Sequence, residues 1–467
     1  MTQYPLDPAH LDKSIFRAYD IRGEVGNTLT EAVAYHLGLS FGSEAIAQNQ
    51  HQVVIARDGR LSSPTLSESL SAGLCRAGLE VIDIGLVPTP VLYFACEAYH
   101  TQTGIMITGS HNPINYNGFK LVLNGTTLAE TAIQKLYERI LRQEYILGQG
   151  SVQQKDIRKI YIESVCARVQ LKKPMKVVVD CGNGAVGVIA QEFFNALGVE
   201  YIGLYSDVDG TFPNHHPDPG QPNNLKDLRE AVQAHHADLG FAFDGDGDRL
   251  GIVTHEGEII WPDRILMLFA QEVLKHEPNS SIIFDVKCSV HVGRMVEKFG
   301  GIPVLYKSGH SLIKKQMKAL NAPLAGEMSG HFFFKHRWFG FDDACFAAAF
   351  LLEILTEDPL GRNLAQLAEG LPTGLSTPEI IVPLADDLKF DFLEKLKQCH
   401  GFKDALIITI DGLRAEFKKG WGLVRASNTA PNLVLRFEAE TQQDLDEIKQ
   451  AFKRAMLLAE PSLKCAF

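Results

Sequence analysis

The sequence predicts an α/β protein: three similar mixed-sheet domains and a smaller C-terminal α+β domain. Three observations carry that reading. The chain has 467 residues, and at roughly 150 residues per domain this length suits three or four domains. One local design, an apolar β-branched run followed by a polar residue and a turn, recurs three times at spacings of roughly 105–125 residues. After Pro372 the texture changes to a run of strands closed by one helix, which is an α+β order.

The recurring design begins with Val53-Val54-Ile55-Ala56, which runs into Arg57-Asp58-Gly59. Its second copy is Val177-Val178-Val179-Asp180 with Cys181-Gly182-Asn183-Gly184, and its third is Ile282-Ile283-Phe284-Asp285 with Val286-Lys287-Cys288-Ser289. Continuous apolar strands of this kind belong in sheets covered on both faces. The apolar run from residue 344 to 352 is about half a membrane span and predicts a buried helix. In the last region, strands are expected at 380–382, 405–410, 421–425 and 433–437, with a helix over 442–458. The domains are placed at 1–155, 156–257, 258–369 and 370–467.

Composition excludes several classes. Hydrophobic residues at 45% and charged residues at 22% describe a globular chain, not a disordered or fibrous one. With 45 Lys and Arg against 56 Asp and Glu, the net charge of −11 argues against a nucleic-acid partner. It also sits oddly with an anionic substrate unless basic residues converge on one site. The N-terminal segment lacks a basic region followed by an apolar stretch, so no secretory signal is expected. Eight scattered cysteines without a C-x-x-C pair indicate neither a zinc ribbon nor a disulfide framework. A cytoplasmic protein without membrane contact is the expectation.

Five segments could carry chemistry. Thr108-Gly109-Ser110-His111-Asn112-Pro113 follows an apolar run, which puts Ser110 on a tight loop at a strand end, where α/β active sites gather. It reads either as a nucleophile or as a turn former. Asp244-Gly245-Asp246-Gly247-Asp248-Arg249 is the most specific signal. Its glycines let three carboxylates converge on one hard cation, and they would repel one another strongly without one. An EF-hand is excluded, because its sixth and twelfth positions would be Arg249 and His255 rather than glycine and glutamate. Gly326-Glu327-Met328-Ser329-Gly330-His331 could bridge neighbouring sugar hydroxyls or form an ordinary polar turn. Arg425-Ala426-Ser427-Asn428-Thr429-Ala430-Pro431 could cradle a phosphate dianion. Gly182-Asn183-Gly184-Ala185-Val186-Gly187, with Asp207 further on, formally matches a dinucleotide fingerprint and sustains an alternative, an NAD-dependent oxidoreductase. A packing turn is the preferred reading there. The pairs His215-His216 and His235-His236 lack zinc-ligand spacing and read as structural or solvated.

Together these loops resemble the α-D-phosphohexomutase superfamily, specifically its bacterial phosphomannomutase/phosphoglucomutase branch. The resemblance spans essentially the whole chain and rests on four ordered motifs: TGSHNP with Asn117-Gly118-Phe119-Lys120 behind it, DGDGDR, GEMSGH and RASNTAP. It implies four domains around a central cleft and an isomerase that interconverts hexose 1- and 6-phosphates of mannose and glucose. Ser110 would carry a phosphoryl group. Mg²⁺ would be held by Asp244, Asp246, Asp248 and Ser110. A hexose 1,6-bisphosphate would form and turn end for end within the cleft before its other phosphate returns to the serine. Phosphoryl transfer needs positioning and charge stabilisation above all, and Arg249, Lys120 and His111 would supply them.

For the general base, His331 is the first candidate, with Arg22, Lys120 and His111 as alternatives. The resemblance further implies substrate contacts from Arg17 and Tyr19, from Lys287 and His310, from Glu327 and Ser329 to the sugar's 3- and 4-hydroxyls, and from Arg425, Ser427, Asn428 and Thr429 to phosphate. A monomer is expected, with the fourth domain hinged near residues 368–374. Met328 favours the mannose/glucose branch over phosphoglucosamine mutase, the nearest alternative. A third class, a non-catalytic sugar-phosphate sensor, fits the retained serine and triad poorly. The charge puzzle is then one of distribution: Arg17, Arg22, Lys120, Arg249, Lys287 and Arg425 should meet in one cleft.

Overall fold

A computed structural model describes residues 4–385, 388–399, 401–427, 432–465 and 467. Asn428 and Thr429 of the phosphate loop lie outside the described residues.

Four sheets follow one another along the chain. The first runs in the order Ile21–Glu24, Tyr116–Leu123, Gly104–Ile107, Gln52–Arg57, Glu80–Leu86, Ser151–Gln154, with Thr126–Thr127 beside Tyr116–Leu123. The second orders Ile259–Ile260, Leu250–Thr254, Leu239–Phe243, Lys176–Asp180, Glu200–Leu204. The third orders Ile302–Tyr306, Ser281–Asp285, Leu324–Gly326, Phe332–Phe334, Phe341–Asp342. All three share one plan, a block of parallel strands reaching one edge, four in the first sheet and three in each of the others, and then a reversal to antiparallel pairing.

The fourth sheet is wholly antiparallel, as an α+β domain requires. Its strand Leu413–Phe417 and the helix Lys389–Gln398 are absent from the sequence reading. The strand alternates apolar and charged residues, and a charged Arg414 disguised it: that side chain is buried, its guanidinium 3.9 Å from the Trp421 ring centre. The expected C-terminal helix is present as Gln442–Ala459, capped by the Thr441 side chain on the Asp444 N–H.

Residues 344–352 do form a buried helix, Ala344–Glu357, started by Asp343, whose carboxylate accepts from the Phe346 N–H. The same carboxylate accepts from Tyr161 Oη at 2.8 Å and Trp338 Nε1 at 3.1 Å, tying the second unit to the third. One apolar cluster runs through the first three units, from Leu92 and Phe94 to Phe193, Phe269 and Phe350. The fourth has its own core around Leu413, Phe437 and Phe452, and touches the rest through Trp421 and Leu423 packed on Val286.

The reversal in each sheet positions the chemistry. Ser110 follows Gly104–Ile107, Asp244 follows Leu239–Phe243, and Glu327 follows Leu324–Gly326. Each is thus at the carboxyl end of the last parallel strand, where α/β folds place ligands.

Candidate active site

Ser110 is held in a strained loop. Its φ is 48°, in the left-handed region that a non-glycine residue occupies at a cost. What imposes this is Arg60, whose guanidinium donates to the carbonyls of Ser110, Asn112, Pro113 and Tyr116 at 2.6–2.9 Å. Asp58 accepts from the Gly109 N–H at 2.9 Å and from Ser63 Oγ at 2.5 Å. Neither Asp58 nor Arg60 was singled out from the sequence as a site residue. The signal available was the turn after the first apolar strand, but nothing local says that its arginine would clasp a loop some 50 residues away.

Ser110 Oγ lies 2.8 Å from Asp244 Oδ2, to which it donates, and 3.0 Å from His111 Nδ1. Asp244, Asp246 and Asp248 are fully buried, with ligand-capable oxygens within 4.8 Å of one another. The alternating glycines are required here: a Cβ on Gly245 would stand 2.5 Å from the Ser110 carbonyl, and Gly247 has a φ of +71°. Thr89 Oγ1 donates to Asp246 Oδ2 at 2.5 Å, the Lys120 ammonium bridges Asp246 and Asp248, and Asp248 and Arg249 donate their N–H groups to Asp244 Oδ1. Burial, with Asp246 and Asp248 adding to it, pushes Asp244 well above the ordinary carboxylate range. Burial also opposes ionisation of Asp248, but Lys120 and His331 outweigh it and hold that group well below the range. Three converging hard oxygens, one of which (Asp246 Oδ1) has no hydrogen-bond partner, suit Mg²⁺.

His331 lies between two carboxylates. Its Nε2 is 3.1 Å from Asp248 Oδ1 and its Nδ1 is 2.9 Å from Glu327 Oε2. Burial disfavours the charged ring, yet Asp248 and Glu327 prevail and raise it to about 9. Both contacts favour the charged ring, which donates from each nitrogen towards a carboxylate. His111 is the opposite case. Burial, then Arg249 and Arg22, pushes it well below its ordinary value, which leaves a neutral ring beside Ser110.

The cavity in front of these groups has a volume of about 360 Å³ and takes lining residues from all four units. Tyr19, Arg22, Ser110, His111 and Lys120 line it, as do Arg249, Lys287, His310, Glu327, Ser329, His331, Arg425 and Ser427. Arg17 lies on the turn before Ile21–Glu24, its backbone N–H on the Asp20 carbonyl, and is not among the residues that line this cavity. Arg22 is oriented by Asp20 at 2.7 Å and Asn112 at 2.7 Å. Glu327 is fixed through the Gly309 N–H at 2.7 Å. Arg425 is anchored by Asp411 through Nε at 3.0 Å, which leaves Nη2 without a hydrogen-bond partner. Lys287 meets Glu379, a wall residue the sequence reading did not name.

The glycine-rich turn is a packing element, as preferred. Ala185 donates its N–H to the Gly245 carbonyl, so the turn backs the acidic loop. Asp207, the expected ribose partner, instead offers its carbonyl to Asn183 Nδ2. His215 pairs with Asp180 at 2.9 Å, and His216 reaches the His111 carbonyl at 2.5 Å, so both are structural. No described helix is long and apolar enough to cross a membrane.

A catalytic centre assembled from strand ends of three like sheets, with a fourth domain closing it, defines a class of multidomain enzyme. Models of the four phosphoglucomutase/phosphomannomutase domains match this chain in order: α/β/α domain I over residues 13–146, II over 159–257, III over 261–374 and the C-terminal domain over 379–455. The chain belongs to the phosphoglucomutase/phosphomannomutase family of the α-D-phosphohexomutase superfamily. It is 53% identical to a phosphomannomutase/phosphoglucomutase of Pseudomonas aeruginosa over 457 residues, 98% of both chains. It is 47% identical to a phosphoglucomutase of Neisseria meningitidis over 459 residues, 97% of this chain and 99% of that one. A crystal structure of a family protein from Burkholderia thailandensis superposes with a TM-score of 0.92 at 48% identity, covering 98% of this chain and all of the other.

Proposed function

We propose that this protein is a phosphohexomutase that interconverts the 1- and 6-phosphates of mannose and glucose through a phosphorylated Ser110 and a hexose 1,6-bisphosphate. One observation carries the reading: the Ser110 hydroxyl stands on a buried acidic triad, at the wall of a cavity that six arginine and lysine side chains line. The named relatives support it.

Asp244, Asp246 and Asp248, with Ser110, would hold Mg²⁺, which supplies Lewis-acid stabilisation of charge on a phosphoryl oxygen. The protein's own groups do the rest. Arg249 and the Lys120 ammonium offset charge on the transferring group. Lys287, Arg425 and Ser427 hold the phosphate that is not reacting, with Asn428 and Thr429 assigned to the same loop. Glu327 and Ser329 read the sugar's 3- and 4-hydroxyls, which mannose and glucose share, and Tyr19 and His310 pack against the ring. His111, kept neutral, is the group able to accept a proton beside the serine. The fourth domain, with a core of its own, opens and closes about the 368–374 segment to let the bisphosphate turn.

The test is a coupled assay of the purified protein with mannose, glucose and glucosamine 1-phosphates, Mg²⁺ and a bisphosphate activator. Ser110→Ala should lower turnover at least a thousand-fold, on the order seen for deleted nucleophiles, and should not accept a phosphate as read by intact mass. Substantial turnover in that variant sinks the phosphoserine reading, and a preference for glucosamine sinks the assignment of branch.

A further inference from the structure

A buried arginine that phosphoryl transfer does not use holds one of the substrate-facing turns. Val286-Lys287-Cys288-Ser289 follows the strand Ser281–Asp285 of the third unit, and each of its four residues takes a contact from the fourth. Arg414 Nη1 donates to the carbonyls of Val286 and Cys288, both at 2.7 Å. Arg436 Nη1 donates to the Lys287 carbonyl between them, and Ser289 Oγ donates to Glu438 Oε1 at 2.7 Å. The N–H groups of Val286, Cys288 and Ser289 instead stay within the third unit, on the Tyr306 carbonyl, the Asp285 carbonyl and Asp263 Oδ2.

Arg414 is 1% exposed and is fixed on its other sides as well. Glu416 Oε1 accepts from its Nε at 2.8 Å, and its guanidinium lies 3.9 Å from the centre of the Trp421 ring, which is fully buried and packs on Val286. A planar guanidinium serves two carbonyls in a fixed geometry, which an ammonium on a flexible stem does not. Buried charge is often replaceable by apolar bulk without loss of stability, so it is the placing of these donors, on the two peptides that flank Lys287, that calls for a role. With the lysine's own carbonyl held as well, the backbone beneath it is fixed, and its Nζ reaches the cavity wall and Glu379. Arg436 itself lines the cavity, whereas Arg414 is not among the lining residues, so an effect of Arg414 on a ligand there runs through the turn.

We propose that Arg414 is a positioning residue for substrate binding: by holding the peptides on both sides of Lys287, it aims that ammonium at the phosphate of a hexose phosphate. This rests on the mutase reading, in which Lys287 holds the phosphate that is not reacting. It makes the fourth unit a determinant of the affinity of a lysine that the third unit contributes.

The test is calorimetric titration of the full-length protein with glucose 1-phosphate in four forms: the parent, Arg414→Lys, Lys287→Met and the double variant. Arg414→Lys should raise the Kd about ten-fold, the scale of one lost hydrogen bond to a charged group. Lys287→Met should raise it at least as much. Adding Arg414→Lys to Lys287→Met should then change it by less than about two-fold, because residues that act through one contact are not additive. Circular dichroism checks the fold, and Arg414→Met, which keeps the packing on Trp421, replaces Arg414→Lys if that variant does not fold. An unchanged Kd in Lys287→Met or in a folded Arg414 variant, or a loss as large in the Lys287→Met background as in the parent, overturns the proposal and leaves the mutase reading in place. A parent protein that binds no glucose 1-phosphate sinks the mutase reading, and this proposal with it.

Discussion

Lys287 Nζ and Glu379 Oε1 are 2.8 Å apart, one at the end of the third sheet's strand Ser281–Asp285 and the other at the entry to the fourth domain. The lysine is buried, and both side chains line the cavity. Burial works against its charge, and Glu379 and Asp285 restore it, raising the lysine above its ordinary value. A substrate phosphate that uses Lys287 must therefore displace a carboxylate.

Glu379→Gln should accordingly lower the KM for hexose phosphates. Removal of one competing, half-exposed ion pair is worth about 1 kcal/mol, roughly five-fold, with kcat little changed. Steady-state kinetics on the two proteins decide this, and an unchanged or higher KM would show that Glu379 does not compete.

Arg60 should matter for stability as much as for activity. Arg60→Ala strands Asp58 and four carbonyls, a loss of about 3–5 kcal/mol for a broken buried charge network. Arg60→Lys should recover little, because a point charge cannot span four acceptors as the guanidinium fork does. Urea unfolding measures both, and a lysine variant as stable as the parent would refute the account.

His331 makes metal-free stability pH-dependent. Its folded value of about 9 lies above the ordinary 6.5, so the folded protein holds the proton more tightly than the unfolded chain. The stabilisation is complete below pH 6.5 and is lost as pH rises to about 9 and beyond. Denaturation midpoints in a chelator should fall across that window and fall less in His331→Gln. Equal slopes in the two proteins would rule His331 out as the cause.

Mg²⁺ should raise the melting temperature of chelator-treated protein, since binding to the folded state alone adds about 2.7 kcal/mol at a hundred times the dissociation constant. Asp246→Asn removes one charged ligand and should shift the Mg²⁺ needed for half-maximal activity upward on the order of ten-fold. A melting temperature indifferent to Mg²⁺ would argue against the triad as its site.

Much of this site was legible because its chemistry is concentrated in short loops. DGDGDR pairs carboxylates with the glycines needed to bring them together, and the structure requires those glycines at 245 and 247. What the loops conceal is their support. Arg60 clasps the serine loop, Thr89 braces Asp246 and Glu379 answers Lys287, all across long separations with no local pattern to announce them. Leu413–Phe417 escaped for a related reason, since a buried Arg414 reads as solvent-facing until Trp421 is seen beneath it.

Apolar β-branched runs and glycine-bounded loops encode strands and turns locally, so the succession of like domains and the residue types at each strand end could be read from composition and spacing alone. Protonation and partnership could not. Which carboxylates face His331, and how a chain of net charge −11 brings six arginine and lysine side chains to one cavity, depend on distances between residues far apart in sequence. In a buried site those distances set the field at each group, and only the packed domains fix them.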